Sequence, residues 1–248
     1  MTSPLLDRAL ETLFPARCAG CGQGPWPFCD DCRSALVSLE PPWCDRCGRP
    51  WSRPVERCRD CPPVSIDSAR APFLYAGPAR AAILRLKFSG WRAVADALGA
   101  AMLAVARPSS VDAVTWVPLA RRRMAERGYD QSRALAAAIA RGLGVPMLPL
   151  LRRSVATAPQ ARRTAATRRD AMRGAFVATG RAPFSVALVD DVLTTGATAS
   201  ACADALRGSG ARRIHLVTAA RAFPGAVPRA YTRSGPRPGL WLPGESTR

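Results

Sequence analysis

The stretch Val186-Ala187-Leu188-Val189-Asp190-Asp191-Val192-Leu193-Thr194-Thr195-Gly196-Ala197-Thr198 sets two acids directly after four apolar residues and ahead of a loop of hydroxyls and small residues. A short apolar run of this kind fits a strand of a parallel sheet, buried on both faces. The loop behind it can gather backbone N–H groups and threonine hydroxyls around a phosphate at the start of the Ala-rich helix that follows. A ribose carried by that phosphate would turn its 2- and 3-hydroxyls toward the acids. On this reading Asp190 and Asp191 accept those hydrogen bonds and serve the catalysis, while Thr194, Thr195, Gly196, Ala197 and Thr198 hold the 5-phosphate. Gly196 lets the backbone approach with no Cβ in the way. An ordinary strand-to-helix turn also sets acids near a helix dipole. It needs neither the second acid nor the threonines.

A second kind of chemistry lies upstream. Eight of the nine cysteines form Cys-x-x-Cys pairs: Cys18/Cys21, Cys29/Cys32, Cys44/Cys47 and Cys58/Cys61. In a reducing compartment this spacing reads as zinc ligation rather than disulfides. Each turn aims two sulfurs at one ion, and two turns complete a tetrahedron. Cys18-x-x-Cys21-Gly22 and Cys44-x-x-Cys47-Gly48 are knuckles followed by Gly, whereas Cys29-Asp30-Asp31-Cys32 and Cys58-Arg59-Asp60-Cys61 lack it. That alternation suggests two successive ribbons, 18/21/29/32 and 44/47/58/61; an interleaved cross-brace uses the same ligands. Metal binding would supply the folding energy that so small a module lacks. Cys202, apart from the pairs, reads as a small buried residue.

The chain of 248 residues, 48% hydrophobic, suffices for one α/β domain plus a small module. Asp7, Arg8 and Glu11 interrupt the first apolar stretch, so no secretory signal is expected. The longest apolar run, 97–106, is too short to cross a bilayer, and a cytoplasmic location follows as an expectation. The formal charge of +18 is almost all arginine, with Lys87 the sole lysine. It fits either a high-GC genome or a surface for nucleic acid and other polyanions. With His215 the single histidine, Ser–His catalysis and His-ligated zinc hydrolysis are not expected; it reads as a satisfied or edge-facing strand residue.

The elements that must position these groups alternate. Residues 3–14 have helical spacing and Pro62-Pro63 closes the cysteine module. A short strand at 73–75 precedes a helix to Lys87-Phe88 and a second helix at 91–106. Strands are expected at 111–117, 147–151, 185–190 and 212–220, with helices at 130–142 and 197–209. This order implies a parallel sheet flanked by helices, with ligands beyond the C-terminal strand ends. Arg121, the basic stretch 152–173 and Arg221 would face a polyphosphate there. The expected divisions are a zinc-ribbon module at 1–63, an α/β domain at 64–223 and a disordered tail at 224–248 rich in Pro, Gly and Arg.

The Asp190–Thr198 segment resembles the phosphoribosyl pyrophosphate (PRPP) motif of type I phosphoribosyltransferases. The order of parts resembles the ComF-type competence proteins, which join a double zinc ribbon to such a domain. The similarity spans about residues 14–221. It includes Leu86-Lys87-Phe88, Val117-Pro118-Leu119, the Arg123–Gln131 segment, Pro159-Gln160 and Met172-Arg173-Gly174-Ala175-Phe176. Ala120 stands where the family often has His, and Tyr129-Asp130 replaces the more usual Phe-Asn. The resemblance implies two structural zinc ions, PRPP with Mg²⁺ as ligand, and a glycosyltransferase that passes phosphoribosyl to an acceptor and releases pyrophosphate. Asp190 and Asp191 would fix the ribose, and Arg121 with the 152–173 loop would grip the leaving group. The alternative it implies is a non-catalytic DNA-uptake factor that binds single-stranded DNA or competence proteins, with the PRPP fold as ligand sensor.

Overall fold

The computed structural model describes residues 17–59, 61, 65–106, 111–154 and 174–223, together with the backbone of 232–234. The expected helix at 3–14, Pro62-Pro63 and most of the 152–173 loop lie outside these residues, as does the tail beyond 223 apart from that one strand.

Strands β4 (Ala113–Trp116), β7 (Ser185–Leu193) and β8 (Arg213–Arg221) form the parallel centre of a seven-stranded sheet. Two short strands, β2 (Ser68–Arg70) and β3 (Phe73–Leu74), follow one another along the far edge of β8, both parallel to it. β1 (Val37–Leu39), just after the short helix α1 (Asp30–Ala35), pairs antiparallel with β3 and with β9 (Thr232–Ser234). The cysteine module is thereby continuous with the main sheet, since β1 comes from within residues 1–63.

Helices α2 (Gly77–Phe88), α3 (Val94–Val105) and α5 (Gln131–Leu143) cover one face, with Ile83, Leu86, Leu98, Leu135 and Ile139 against Ala187 and Val189. Alanine and glycine let α3 and α5 approach closely: a Cβ at Gly99 would stand 2.5 Å from that of Ala138. Helix α6 (Ala197–Gly208) covers the other face with Val186, Leu188, Cys202 and Leu206, beside a hairpin of β5 (Leu151–Arg153) and β6 (Phe176–Ala178). The fold is α/β, a parallel-rich sheet flanked by helices with an N-terminal Cys-rich module.

Three differences from the sequence reading have physical causes. The strand expected at 147–151 is only a bridge from Met147 to Val114, because Pro146 and Pro149 remove ladder donors. β5 leaves the main sheet instead. A helix that was not expected, α4 (Arg121–Arg127), lacks a buried face and so shows no apolar period; Gly128 at φ 72° ends it. β7 runs on to Leu193, so the acids lie within the strand rather than beyond it.

Candidate functional site: an acid pair, a phosphate-type loop and two sulfur clusters

Because β4, β7 and β8 are parallel, their C-terminal ends open on one side of the sheet. Leu193 ends β7 there, and Thr194–Gly196 turn the chain into α6 with Gly196 at φ 78° in the left-handed region. Asp190, the loop from Thr194 to Thr198 and Thr218 line one pocket. Thr194 and Thr195 are exposed, and the Ala197 N–H donates to Thr195 Oγ1 at 3.5 Å. Pocket, helix start and hydroxyls coincide where a phosphate would bind.

The two acids have different surroundings. Asp190 Oδ1 accepts from Ser132 Oγ at 2.9 Å and from the Asp191 N–H at 2.8 Å. Asp191 is buried: Lys87 Nζ lies 2.6 Å from its Oδ1, and Gln131 Nε2 donates to its Oδ2 at 2.9 Å. Burial and the neighbouring Asp191 push the Asp190 carboxyl up to about 7. Asp130 caps α5 by accepting from the Ser132 and Arg133 N–H groups, and its other oxygen takes the Leu119 N–H at 3.2 Å. That cap fixes the first turn of α5, which delivers Ser132 and Gln131 to the acids.

Sequence reasoning passed over Lys87, Gln131 and Ser132 as site residues. The signal was present for Lys87, a sole lysine in an arginine-rich chain. Arg121 is the first, exposed residue of α4, following β4 on the same side of the sheet as the pocket. Arg221 does not face a polyphosphate. It is 4% exposed, its guanidinium 4.5 Å from the Phe223 ring, and burial lowers its pKa while the charge of nearby Cys47 opposes the shift. His215 is satisfied by Ser68, with Nδ1 2.8 Å from its Oγ.

The cysteines gather as two consecutive sets. Cys18, Cys21, Cys29 and Cys32 form one and Cys44, Cys47, Cys58 and Cys61 the other, each with its sulfurs within 4.8 Å of one another. The arrangement is sequential, not interleaved. Four sulfurs about 2.3 Å from a zinc ion are about 3.8 Å apart along each tetrahedral edge. Cys21–Cys29 at 3.8 Å, Cys47–Cys58 at 3.6 Å and Cys58–Cys61 at 3.8 Å fit that figure. Backbone N–H groups also point at the sulfurs, Cys29 to Cys18 Sγ at 3.3 Å and Cys58 to Cys44 Sγ at 3.2 Å. Burial raises Cys18, but the N–H groups of Cys21 and Cys29 oppose it and bring the thiol to about 6. Cys58 is pushed up to about 11 by burial and by Cys47. Four thiolates this close call for a cation. These are two Cys₄ zinc-binding sites, closed and structural in type.

A double zinc ribbon domain family matches residues 9–62. Competence protein F of Haemophilus influenzae is 31% identical over 209 residues, covering 79% of this chain and 90% of that protein. The chain belongs to the competence protein F family. DNA utilization protein YhgH of Escherichia coli K12, another relative, is 30% identical over 213 residues, 78% of this chain and 89% of its own. Among solved structures, the glutamine PRPP amidotransferase of B. subtilis complexed with ADP and GMP aligns with 49% of this chain and 25% of its own, at 25% identity and TM-score 0.35. A Thermus thermophilus protein, TT1426, aligns with 56% of this chain at 20% identity and TM-score 0.31. No helix among the described residues is long and apolar enough to cross a membrane.

Proposed function

We propose that this competence-related, phosphoribosyltransferase-like protein binds Mg²⁺–PRPP and transfers its phosphoribosyl group to an acceptor with release of pyrophosphate. The observation that carries the reading is the shared pocket of Asp190 and the Thr194–Thr198 loop at the start of α6. The loop N–H groups and hydroxyls would take the 5-phosphate, and Asp190 would accept from a ribose hydroxyl. Loss of pyrophosphate from the anomeric carbon leaves an oxocarbenium-like centre. The chain's part is to hold the ribose, neutralise the leaving charge and exclude water. Arg121, exposed at the start of α4, would supply a cation toward the leaving group. Mg²⁺ would come with the substrate and offset the charge on the departing pyrophosphate, with Asp190 the pocket carboxylate available to it.

Calorimetric titration of the zinc-loaded protein with Mg²⁺–PRPP, with ribose 5-phosphate as control, tests this. Saturable binding lost in Asp190→Ala/Asp191→Ala, with zinc content unchanged, is the expected result. Binding unaltered in that variant would move the site elsewhere.

A second reading, single-stranded DNA binding in competence, is favoured by arginines stacked on aromatic rings near the same side. Arg127 lies 4.7 Å from the Phe88 ring, Arg92 5.1 Å from Tyr129 and Arg133 5.7 Å from Trp116, and Phe88 is 68% exposed. The names of the relatives above point the same way. Salt-dependent binding of an oligonucleotide, with and without Mg²⁺–PRPP, separates a DNA-only factor from one whose two ligands are coupled.

A further inference from the structure

We propose that Lys87 is the positioning residue of the acid pair: it holds Asp191 as an anchored carboxylate and leaves Asp190 as the one that meets ribose. The inference rests on the PRPP reading above and assigns a division of labour within that site.

Adjacent residues of a strand point to opposite faces, and the two acids follow this rule. Asp190 lines the pocket of the Thr194–Thr198 loop, and Asp191 does not. Asp191 turns toward α2 and α5, where each of its oxygens is already used. Lys87 Nζ takes Oδ1 at 2.6 Å, with side chains 18% and 8% exposed, and Gln131 Nε2 takes Oδ2 at 2.9 Å. The Gln131 amide cannot turn over without loss, because its Oε1 accepts from Arg127 Nη1 at 3.0 Å. The contacts on Asp190 differ in kind. Both of its protein hydrogen bonds, from Ser132 Oγ and from the Asp191 N–H, fall on Oδ1. Among the described residues, none reaches its Oδ2.

The identity of the cation follows from the same geometry. A guanidinium fork grips a carboxylate through two oxygens, whereas an ammonium makes a point contact. With Oδ2 taken by Gln131, only a point contact on Oδ1 is open. Lys87 is the sole lysine of a chain whose other basic residues are arginines. Its helix is itself held from the far side: two residues earlier, Arg85 Nη1 donates to the Ala19 carbonyl at 2.8 Å and to the Gly20 carbonyl, both in the first zinc knuckle. The ribbon thus fixes α2, α2 delivers Lys87, and Lys87 fixes Asp191. Two adjacent carboxylates resist joint ionisation, and the Lys87 charge opposes the burial and the Asp191 charge that raise Asp190.

The test is titration of the full, zinc-loaded chain with Mg²⁺–PRPP at pH 6.5, 7.5 and 8.5, for wild type, Lys87→Met and Lys87→Arg. Zinc content and circular dichroism check the fold of each. Lys87→Met is expected to weaken binding at least tenfold at pH 7.5 and to recover part of it at pH 8.5, as the acid pair loses the proton that replaces the ammonium. Lys87→Arg should restore the wild-type pH profile with intermediate affinity. A Lys87→Met protein that binds within twofold of wild type, or that loses the same factor at all three pH values, overturns the proposal while leaving the PRPP reading intact. Wild type that binds no Mg²⁺–PRPP at any pH removes that reading and this inference with it.

Discussion

Gly48 of the second zinc knuckle lies directly against the Ala69 carbonyl of β2: a Cβ at position 48 would stand 2.3 Å from that oxygen. The Ala69 N–H donates to the Arg46 carbonyl at 2.7 Å, and Arg70 reaches back to the Asp45 carbonyl at 2.7 Å. Gly48 also has φ +67°, where an L side chain is strained. The knuckle therefore docks on the sheet through backbone, with no side chain able to yield. Gly48→Ala is expected to destabilise the zinc-loaded protein by at least about 2 kcal/mol. The midpoint of denaturant unfolding measures it, and an unchanged midpoint would mean the ribbon does not dock there.

Asp190 provides a pH signature in the absence of any ligand. Its carboxyl is raised to about 7 by burial and by Asp191. An acid whose folded pKa lies above its unfolded value contributes stability below the unfolded pKa, and this is lost as pH rises through the folded one. Asp190→Asn should remove that loss. The variant should gain on wild type between pH 5 and pH 7, by on the order of 2 kcal/mol, and little further above that. Paired unfolding curves at the two pH values check the sign, and a gap that stays constant or narrows would contradict it.

Asp190→Asn and Lys87→Met also show which parts of the site could be read from residues alone. The Asp190–Thr198 run was legible because short-range sequence builds it: a buried strand, a left-handed Gly196 and a helix start are neighbours in the chain. The ribbons were legible because Cys-x-x-Cys spacing is set by the zinc ion itself. Lys87, Gln131 and Ser132 come from two helices brought together only by packing against β7; Lys87 stands out by composition alone, and no local pattern marks the other two. The misplacement of Arg221 has the same origin. The strand end was read correctly, but the guanidinium is buried near the cysteines of the second ribbon, Cys47 first among them. Helix α4 escaped because a fully exposed helix has no apolar stripe to reveal it.

The sequential sulfur sets make a stoichiometric prediction. Both Cys18 and Cys32 belong to the first set, so Cys18→Ser/Cys32→Ser should retain one zinc per chain, held by Cys44, Cys47, Cys58 and Cys61. In an interleaved brace the same two substitutions would damage both sites. Zinc released by a thiol-blocking reagent, counted against wild type, distinguishes one remaining ion from none. Because Arg85 of α2 grips the first knuckle, the variant should also weaken Mg²⁺–PRPP binding, although no cysteine touches the pocket.

Gly196 and Arg121 should separate the two ends of the bound substrate. Gly196 begins α6 at φ 78°, so Gly196→Ala strains the loop at the point where the backbone must approach a phosphate. It should weaken Mg²⁺–PRPP and ribose 5-phosphate alike, by about tenfold or more for a lost set of charge-assisted bonds. Arg121 is the exposed first residue of α4, beyond the C-terminal end of β4, and on the proposed reading it meets the diphosphate and not the 5-phosphate. Arg121→Ala should weaken Mg²⁺–PRPP severalfold and leave ribose 5-phosphate unchanged, and the difference between the ligands should shrink as salt screens the exposed guanidinium. Titrating both ligands against both variants gives a two-by-two pattern. Equal losses of the two ligands in Arg121→Ala would place that arginine on the 5-phosphate or the fold instead of on the leaving group.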